Sequence, residues 1–332
     1  MAQIKDVAKR AEVSVASVSR VLAGHTGVTE ATRQRVLEAI EALDYRPDLA
    51  ARRLRSRRTD TIGLIVSDIR NPFFTEVSRA VEDMAYQNRM RVILCNTDED
   101  PDKEGFYLDL MRDENVSGVI LSPTLPALAR FRMSDYSFPV VLVDRCDRET
   151  TADAVVLDNA DSAYRLITYL IKQGYRRIAF IHGAASATGR QRHEGYVTAM
   201  ATHGLETQAQ AVPATVEAAR AAASELIRES SLPDALVGSN GLILLGLVKA
   251  LREANLQFPE HLGLAGFDDL PWTQLVGPGI TVMAQPTYDI GQATIELLLQ
   301  RIAHPSQPVR RVVLRGELRE RGSSVRQKGS AN

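Results

Sequence analysis

Ile4-Lys5-Asp6-Val7-Ala8-Lys9-Arg10-Ala11-Glu12-Val13-Ser14-Val15-Ala16-Ser17-Val18-Ser19-Arg20-Val21-Leu22 holds two short helical patterns separated by a tight break. Ile4, Val7, Ala8 and Ala11 form one apolar stripe at helical spacing, and Val15, Val18, Val21 and Leu22 form another. Ser14 stands where its hydroxyl can accept from an orphan amide in the first turn of the second helix. The polar side of that helix carries Ser17, Ser19 and Arg20. A short helix with a small polar N-terminal end and a protruding arginine suits the major groove of DNA. A third amphipathic pattern runs from Glu30 to Leu43, with Thr29 as its N-cap and Val36, Leu37, Ile40 and Leu43 as its stripe. Together the three helices can bury a small core. Pro47 stops the third. The residues after it keep a helical rhythm with too little apolar surface to fold alone.

A chain of 332 residues exceeds one compact core and suggests two or three domains. Its net charge of −1 hides an asymmetry. Residues 1–60 hold 12 Lys and Arg against 8 Asp and Glu, while the remainder is acidic. Positive charge is gathered where phosphates would be met. Cys95 and Cys146 are too few for a disulfide framework and lie in apolar runs, so they read as buried free thiols. No apolar stretch resembles a signal peptide or a membrane span, and the expected location is the cytoplasm, in association with the nucleoid.

From Thr61 the pattern changes to buried strands alternating with helices. Strands are predicted at residues 61–66, 92–95, 118–121, 140–143, 154–157, 177–181, 235–237, 263–266 and 281–284. Helical segments fall between them, such as residues 76–88, 162–173, 218–229 and 242–254. Continuous apolar strands with helical crossovers mean parallel sheets covered on both faces. The units are too many for one sheet, so the expected α/β architecture is two doubly wound lobes with a cleft between them. Ligands in such sheets sit beyond the carboxyl ends of the strands.

The N-terminal stretch closely resembles the lactose-repressor/galactose-repressor (LacI/GalR) family of bacterial transcription regulators. The matching pieces are Asp6-Val7-Ala8, Val13-Ser14, Val18-Ser19-Arg20-Val21-Leu22, Thr32-Arg33, Leu43-Asp44-Tyr45-Arg46-Pro47 and Ala51-Arg52-Arg53-Leu54. The likeness continues more loosely to about residue 322. It implies a helix-turn-helix head over residues 1–46, a hinge helix and linker over 47–60, and an effector-binding and dimerisation domain over 61–322 with the fold of periplasmic binding proteins. One lobe would take residues 61–158 and 288–316, the other 159–287 and 317–322, with a tail at 323–332. The chain would cross between lobes near 158–161, 286–289 and 316–319.

The resemblance assigns DNA contacts to Ser14, Val15, Ala16, Ser17, Ser19, Arg20 and Thr32. Val15 and Ala16 match positions that begin the recognition helix and read bases; both can touch a thymine methyl but donate no hydrogen bond. Arg20 can bond a guanine bidentately, and the hydroxyls suit phosphates. Plain core packing is the alternative for Val15, and a surface role for Arg20. Leu54 matches the leucine wedge that enters the minor groove, and Ala51 is small enough for two hinge helices to approach. Two departures stand out: Glu12 replaces the usual turn glycine, and Ala23 replaces a frequent asparagine. A left-handed Glu12 would cost about 1 kcal/mol relative to glycine.

For an effector, the resemblance points to Phe73 and Phe74 of Asn71-Pro72-Phe73-Phe74, to Thr188 and Arg192 after the strand near 181, and to Asp268 of Gly266-Phe267-Asp268-Asp269. Core aromatics and a structural loop aspartate are the alternatives. Asn240, Ser122, Asp144 and Arg145 occupy strand-end positions. Asp144-Arg145, Ser239-Asn240-Gly241-Leu242, Phe267-Asp268-Asp269 with Trp272, and Ala284-Gln285-Pro286 resemble the gluconate and ketogluconate repressors. A cleft offering Arg145 and Arg192 favours a carboxylate-bearing sugar, balanced by Asp268. Neutral sugars, sugar phosphates and nucleobases stay open.

The implied function is a homodimeric, operator-binding repressor controlled by a small sugar or sugar acid, with no cofactor, metal or membrane partner. The sign of the effector's action is left open. A sugar-acting enzyme and a sugar carrier are the competing classes. No Walker motif, His-Glu-x-x-His or G-x-S-x-G occurs, and the six histidines are dispersed. The segment after Arg319 lacks leucine heptads, so a dimer is expected rather than a tetramer.

Overall fold

The computed structural model describes residues 2–22, 27–45, 59–147, 150–228 and 232–326. The chain divides into two compact units, Met1–Thr59 and Asp60–Asn332. The expected hinge segment, with Ala51 and Leu54, and the departure at Ala23 lie outside the described residues.

The first unit contains α1 (Ile4–Arg10), α2 (Val15–Leu22) and α3 (Glu30–Ala42). Val7, Ala8, Ala11, Val18, Val21, Val36 and Ala39 form its buried core, with Ile4, Val15, Leu22, Ile40 and Leu43 packed against it. Leu37 is a correction to the expected stripe: it is half exposed, and Ala39 takes the buried position. The smaller side chain fits because helices in so small a bundle must approach closely. The Ser14 hydroxyl accepts from the Ser17 amide at 3.1 Å, and the Thr29 hydroxyl accepts from the Thr32 amide at 3.4 Å. Both N-caps therefore form as the sequence suggests.

The turn between α1 and α2 places Glu12 at φ 53°, in the left-handed region that glycine tolerates best. Glu12→Gly is expected to stabilise the N-terminal unit by about 1 kcal/mol. Calorimetric melting of the full chain should show the upward shift, and an unchanged or lower transition would contradict it.

The second unit holds two six-stranded sheets. The first comprises β1 (Thr61–Val66), β2 (Arg91–Asn96), β3 (Gly118–Leu121), β4 (Val140–Val143), β5 (Asp153–Leu157) and β11 (Arg311–Leu314), in the spatial order β11-β5-β4-β3-β1-β2. The second comprises β6 (Ile178–Gly183), β7 (Gln208–Val212), β8 (Ala235–Gly238), β9 (Gly263–Phe267), β10 (Thr281–Ala284) and β12 (Glu317–Arg319), in the order β12-β10-β9-β8-β6-β7. All pairings are parallel except β10 with β12. Every residue of β1, β3, β4 and β5 is buried, because helices cover both faces.

On the first sheet, α4 (Pro72–Gln87) and α11 (Thr287–Ala303) cover one face, and α5 (Pro101–Asp113) with the short α6 (Leu125–Leu128) covers the other. On the second, α7 (Asn159–Lys172) and α8 (Ala187–Thr202) lie opposite α9 (Val216–Arg228) and α10 (Gly241–Glu253). Gly291 permits the tight α4–α11 contact, since a Cβ there would stand 2.6 Å from the Val77 carbonyl oxygen.

The chain leaves the first sheet between β5 and α7, returns between β10 and α11, and leaves again between β11 and β12. Three crossing segments thus join the lobes. The second lobe also keeps the chain past residue 322. The Ser323 hydroxyl donates to the Leu264 carbonyl at 2.5 Å and accepts from the Thr281 amide at 2.8 Å, so a tail starting at 323 begins too early. Among the described residues no helix is long and apolar enough to cross a membrane.

Candidate functional site

In the N-terminal unit, α2 presents Ala16 and Arg20 to solvent, with Ser17 and Ser19 half-buried beside them. Arg20 has no partner among the described residues. Ser14 and Ser17 share a hydroxyl contact of 2.9 Å, and Thr29 and Thr32 share another of 2.9 Å. Val15 is half-buried against the core, so its alternative reading as packing is met in part.

Between the lobes lies a cleft of about 210 Å3. It sits beyond the carboxyl ends of strands from both sheets, the place that open α/β sheets reserve for ligands. The first lobe contributes Ser67 and Asp68 after β1, Asp98 and Glu99 after β2, Asp144 and Arg145 after β4, and Phe73 and Phe74 from α4. The second contributes Thr188 and Arg192 from α8, Asn240 after β8, Asp268 after β9 and Gln285 after β10.

Asn71 caps α4 by accepting from the Phe73 amide at 3.1 Å, and Pro72 fills the first turn, where its missing N–H costs nothing. That start aims the two phenylalanines inward, with ring centroids 5.0 Å apart and edge to face. Both are buried in the first lobe's core and also reach the cleft wall.

Asp144 and Asp268 are counterparts, each following a central strand of its sheet. Both adopt positive φ, 68° and 75°. Such backbone costs about 1–3 kcal/mol per residue and concentrates at functional sites. Asp268 accepts from the Gly241 amide at 2.7 Å through Oδ2 and from Gln285 Nε2 at 2.6 Å through Oδ1. The approach to Gly241 fixes it against the start of α10, where Asn240 caps the helix by accepting from the Ile243 amide at 2.8 Å.

Arg192 is buried, with its guanidinium 4.1 Å above the Phe267 ring. Its Nε donates to Asn159 Oδ1 at 2.8 Å and its Nη1 to the Ser239 carbonyl at 2.5 Å. No hydrogen bond to a described residue uses Nη2. Burial pulls this guanidinium below its usual value, while Asp268 and Asp144 act against that pull.

Arg145 is placed differently from the expectation. Its Nη1 and Nη2 bond both oxygens of Glu99 at 2.7 and 2.5 Å. Nη1 also reaches the Pro123 carbonyl, Nη2 the Ser67 hydroxyl, and Nε the Asp144 carboxylate, each at 3.2 Å. Burial works against its charge, but Glu99 and Asp144 more than offset this and hold the group charged. Burial likewise raises the Asp144 carboxyl above its usual range, with Arg145 and Arg192 pulling it back. Arg145 therefore ties two loops of the first lobe together and has no donor left for a carboxylate effector.

Ser122 is the other correction. It follows β3 but does not line the cleft, and its hydroxyl is sealed inside without a partner. Next to it, the Pro123 carbonyl accepts from Arg145 Nη1 at 3.2 Å.

Two residues of the cleft and one behind it went unread in the sequence. Glu99 saturates Arg145. Gln285 orients Asp268, and its own Oε1 is buried without a partner. Asn159 accepts from Arg192 and donates to Gln191 Oε1 at 3.0 Å. Gln191 and Arg190 line a larger crevice of about 560 Å3 between the lobes, lined also by Cys146 and Arg311. An asparagine opening a helix reads as a cap, so only the fold reveals its contact with Arg192.

A family model described as bacterial regulatory proteins, lacI family, matches residues 3–48, and one for a periplasmic binding protein-like domain matches residues 167–324. The transcriptional regulator RegA of Clostridium saccharobutylicum is 33% identical, over 97% of this chain and 99% of its own length. The transcriptional regulator PtxS of Pseudomonas plecoglossicida is 35% identical, over 97% of this chain and 95% of its own. A solved LacI family transcriptional regulator from Enterococcus faecium, with bound ribose, has a TM-score of 0.71 at 26% identity, covering 79% of this chain and 98% of that one.

Proposed function

Because the chain belongs to the lacI family of bacterial regulatory proteins, we propose that it is a transcriptional repressor whose grip on a palindromic DNA operator is set by a small sugar or sugar acid. Gluconate and ketogluconate fall within that range through the subgroup likeness. One observation carries the reading: a helical head exposing Ala16 and Arg20 belongs to the same chain as an inter-lobe cleft walled by Phe73, Asp144, Arg192 and Asp268. The relatives are transcriptional regulators, which favours a regulator over an enzyme.

The protein acts as a homodimer in the cytoplasm. Tyr86, Leu94 and Phe106 of the first lobe and Leu275 of the second leave apolar surface exposed, which pairing of two copies would cover. Arg20 reads a base, and the hydroxyls of Ser14, Ser17, Ser19 and Thr32 position the head on phosphates. The effector acts by binding two arrangements of the lobes unequally, since equal affinity would shift nothing. Ala51 and Leu54 take part in DNA binding, Leu54 through the minor groove.

Footprinting on a palindromic promoter site, with and without sugar, tests the reading. Protection that sugar modulates is expected; no protection of any DNA around its own gene counts against it. Leu54→Ala is expected to weaken operator affinity about tenfold, the loss of one wedge worth roughly 1–2 kcal/mol. Calorimetry should show sugar affinity unchanged, and an equal loss of both would contradict the division of labour.

A further inference from the structure

We infer that the larger crevice, the one lined by Arg190 and Arg311, is a second ligand site that takes an organic anion with an aliphatic body and adjusts the grip on DNA. The regulatory half rests on the regulator reading; the binding half does not.

The crevice exists because one helix is short. On the α5 face of the first sheet, α6 is a single turn, Leu125–Leu128, and the edge strand β11 is left bare there. Arg311 and Val313 pair in register with Ala154 and Val156 and share their face. Val156 is buried, yet Val313 beside it is 49% exposed. The space over it, about 560 Å3, is bounded from the other lobe by α8 and the start of α7. That volume falls within the roughly 300–1,000 Å3 of small-molecule pockets. The crevice and the cleft share no lining residue.

The walls set the chemistry. Leu125, Leu128, Leu157 and Val313 of the first lobe, with Ala160 and Ala187 of the second, are aliphatic, and no aromatic ring lines the space. Such walls suit a methylene chain more than a stacked ring. Arg311 of the first lobe and Arg190 of the second are exposed, and neither side chain bonds a described residue. Arg311 also pulls the Cys146 thiol down against the effect of burial, so its charge is felt inside the crevice. Two of the three carboxylates alongside are engaged. Asp158 caps α7 by accepting from the Asp161 amide at 3.3 Å, and Asp147 accepts from the Thr150 hydroxyl at 2.7 Å. Glu194 bonds no described residue through its side chain and opposes an anion. Two unpaired guanidiniums, one from each lobe, outweigh it and match a carboxylate or phosphate head.

Asn159 is the partition between the two cavities. On the cleft side its Oδ1 accepts from Arg192 Nε at 2.8 Å, and on the crevice side its Nδ2 donates to Gln191 Oε1 at 3.0 Å. Gln191 Nε2 in turn reaches the Cys146 carbonyl of the first lobe at 3.5 Å. A ligand held by one guanidinium from each lobe binds different arrangements of the lobes unequally, which is what shifting an equilibrium requires.

Calorimetric titration of the full-length protein with octanoate, octyl phosphate, 1-octanol and acetate tests the site. Saturable binding of octanoate or octyl phosphate, one per chain, is expected, about tenfold or more tighter than 1-octanol or acetate. The tighter of the two anions names the head group. Arg311→Gln and Arg190→Gln, both at exposed positions, should each weaken that binding about tenfold or more, and Glu194→Gln should strengthen it about threefold. No saturable binding, 1-octanol binding as tightly as the anions, or affinity unchanged in both arginine variants overturns the site. A mobility shift of palindromic promoter DNA without sugar should move its midpoint about fivefold or more when the bound anion is added, and should stay put in Arg311→Gln. A midpoint that saturating anion leaves unmoved overturns the regulatory half. Failure to shift that DNA with or without the anion counts against the regulator reading instead, while calorimetry still decides the site.

Discussion

Arg192→Ala is expected to cost about a hundredfold or more in effector affinity, while operator binding without effector stays intact. A hydrogen bond from a charged donor contributes roughly 1.5–3 kcal/mol, and Nη2 offers two such donors to ligand hydroxyls. Two bonds at the lower bound come to about 3 kcal/mol, or more than two orders of magnitude in affinity. The loss extends to the wall itself, because Asn159 Oδ1 and the Ser239 carbonyl lose their partner together. Arg192→Lys should recover little of it. An ammonium cannot reach Asn159, Ser239 and the ligand at once, as the planar fork does. Calorimetry against a panel of sugars and sugar acids and a reporter for induction give the two readouts. Retained induction in the alanine variant would refute the role. A fall in melting temperature large enough to unfold the protein is separated by checking that the variant still protects its operator.

The sequence is legible where burial is complete and opaque where contacts are distant. The bounds of β1, β3, β4 and β10 are those expected, because strands covered on both faces read as unbroken apolar runs. Strand β7 went unread: Gln208-Ala209-Gln210-Ala211-Val212 sits at a sheet edge, and its exposed positions keep it polar. Helix α8 went unread as a helix because Arg190, Gln191, Arg192 and Glu194 face the spaces between the lobes instead of a core, and no apolar stripe results. Family likeness points to Arg192 and Asp268, and both line the cleft. It could not assign Arg145, because the partner that decides its role, Glu99, lies 46 residues away. Residue type announced a cation; only the fold shows that its charge is already matched.

That matching makes Arg145 the second position where one substitution has a large consequence, here on stability. Arg145→Met is expected to destabilise the second unit by about 3–5 kcal/mol, the cost of stranding buried charge when one partner of an ion pair is removed. Glu99 loses both its bonds to nitrogen, Asp144 loses its nearest cation, and the loops after β2 and β4 are no longer tied. Denaturant unfolding should show a lower midpoint at unchanged slope. Adding Glu99→Gln to the variant should return a large part of the loss, since a neutral amide is far cheaper to leave without a cation. The deficit should also depend on pH with a definite sign. Burial already raises the Asp144 carboxyl above its usual range, and loss of Arg145 raises it further. A folded state whose carboxyl is raised binds protons more readily than the unfolded chain, so its stability is greatest below the ordinary carboxylate range and falls as pH rises through the raised value. The gap between variant and wild type should therefore narrow on acidification from neutral pH and be widest above the raised value. A deficit under about 1 kcal/mol, the worth of an exposed ion pair, or one that does not change with pH, would mean that Arg145 is a solvated surface charge and not the clasp of the first lobe.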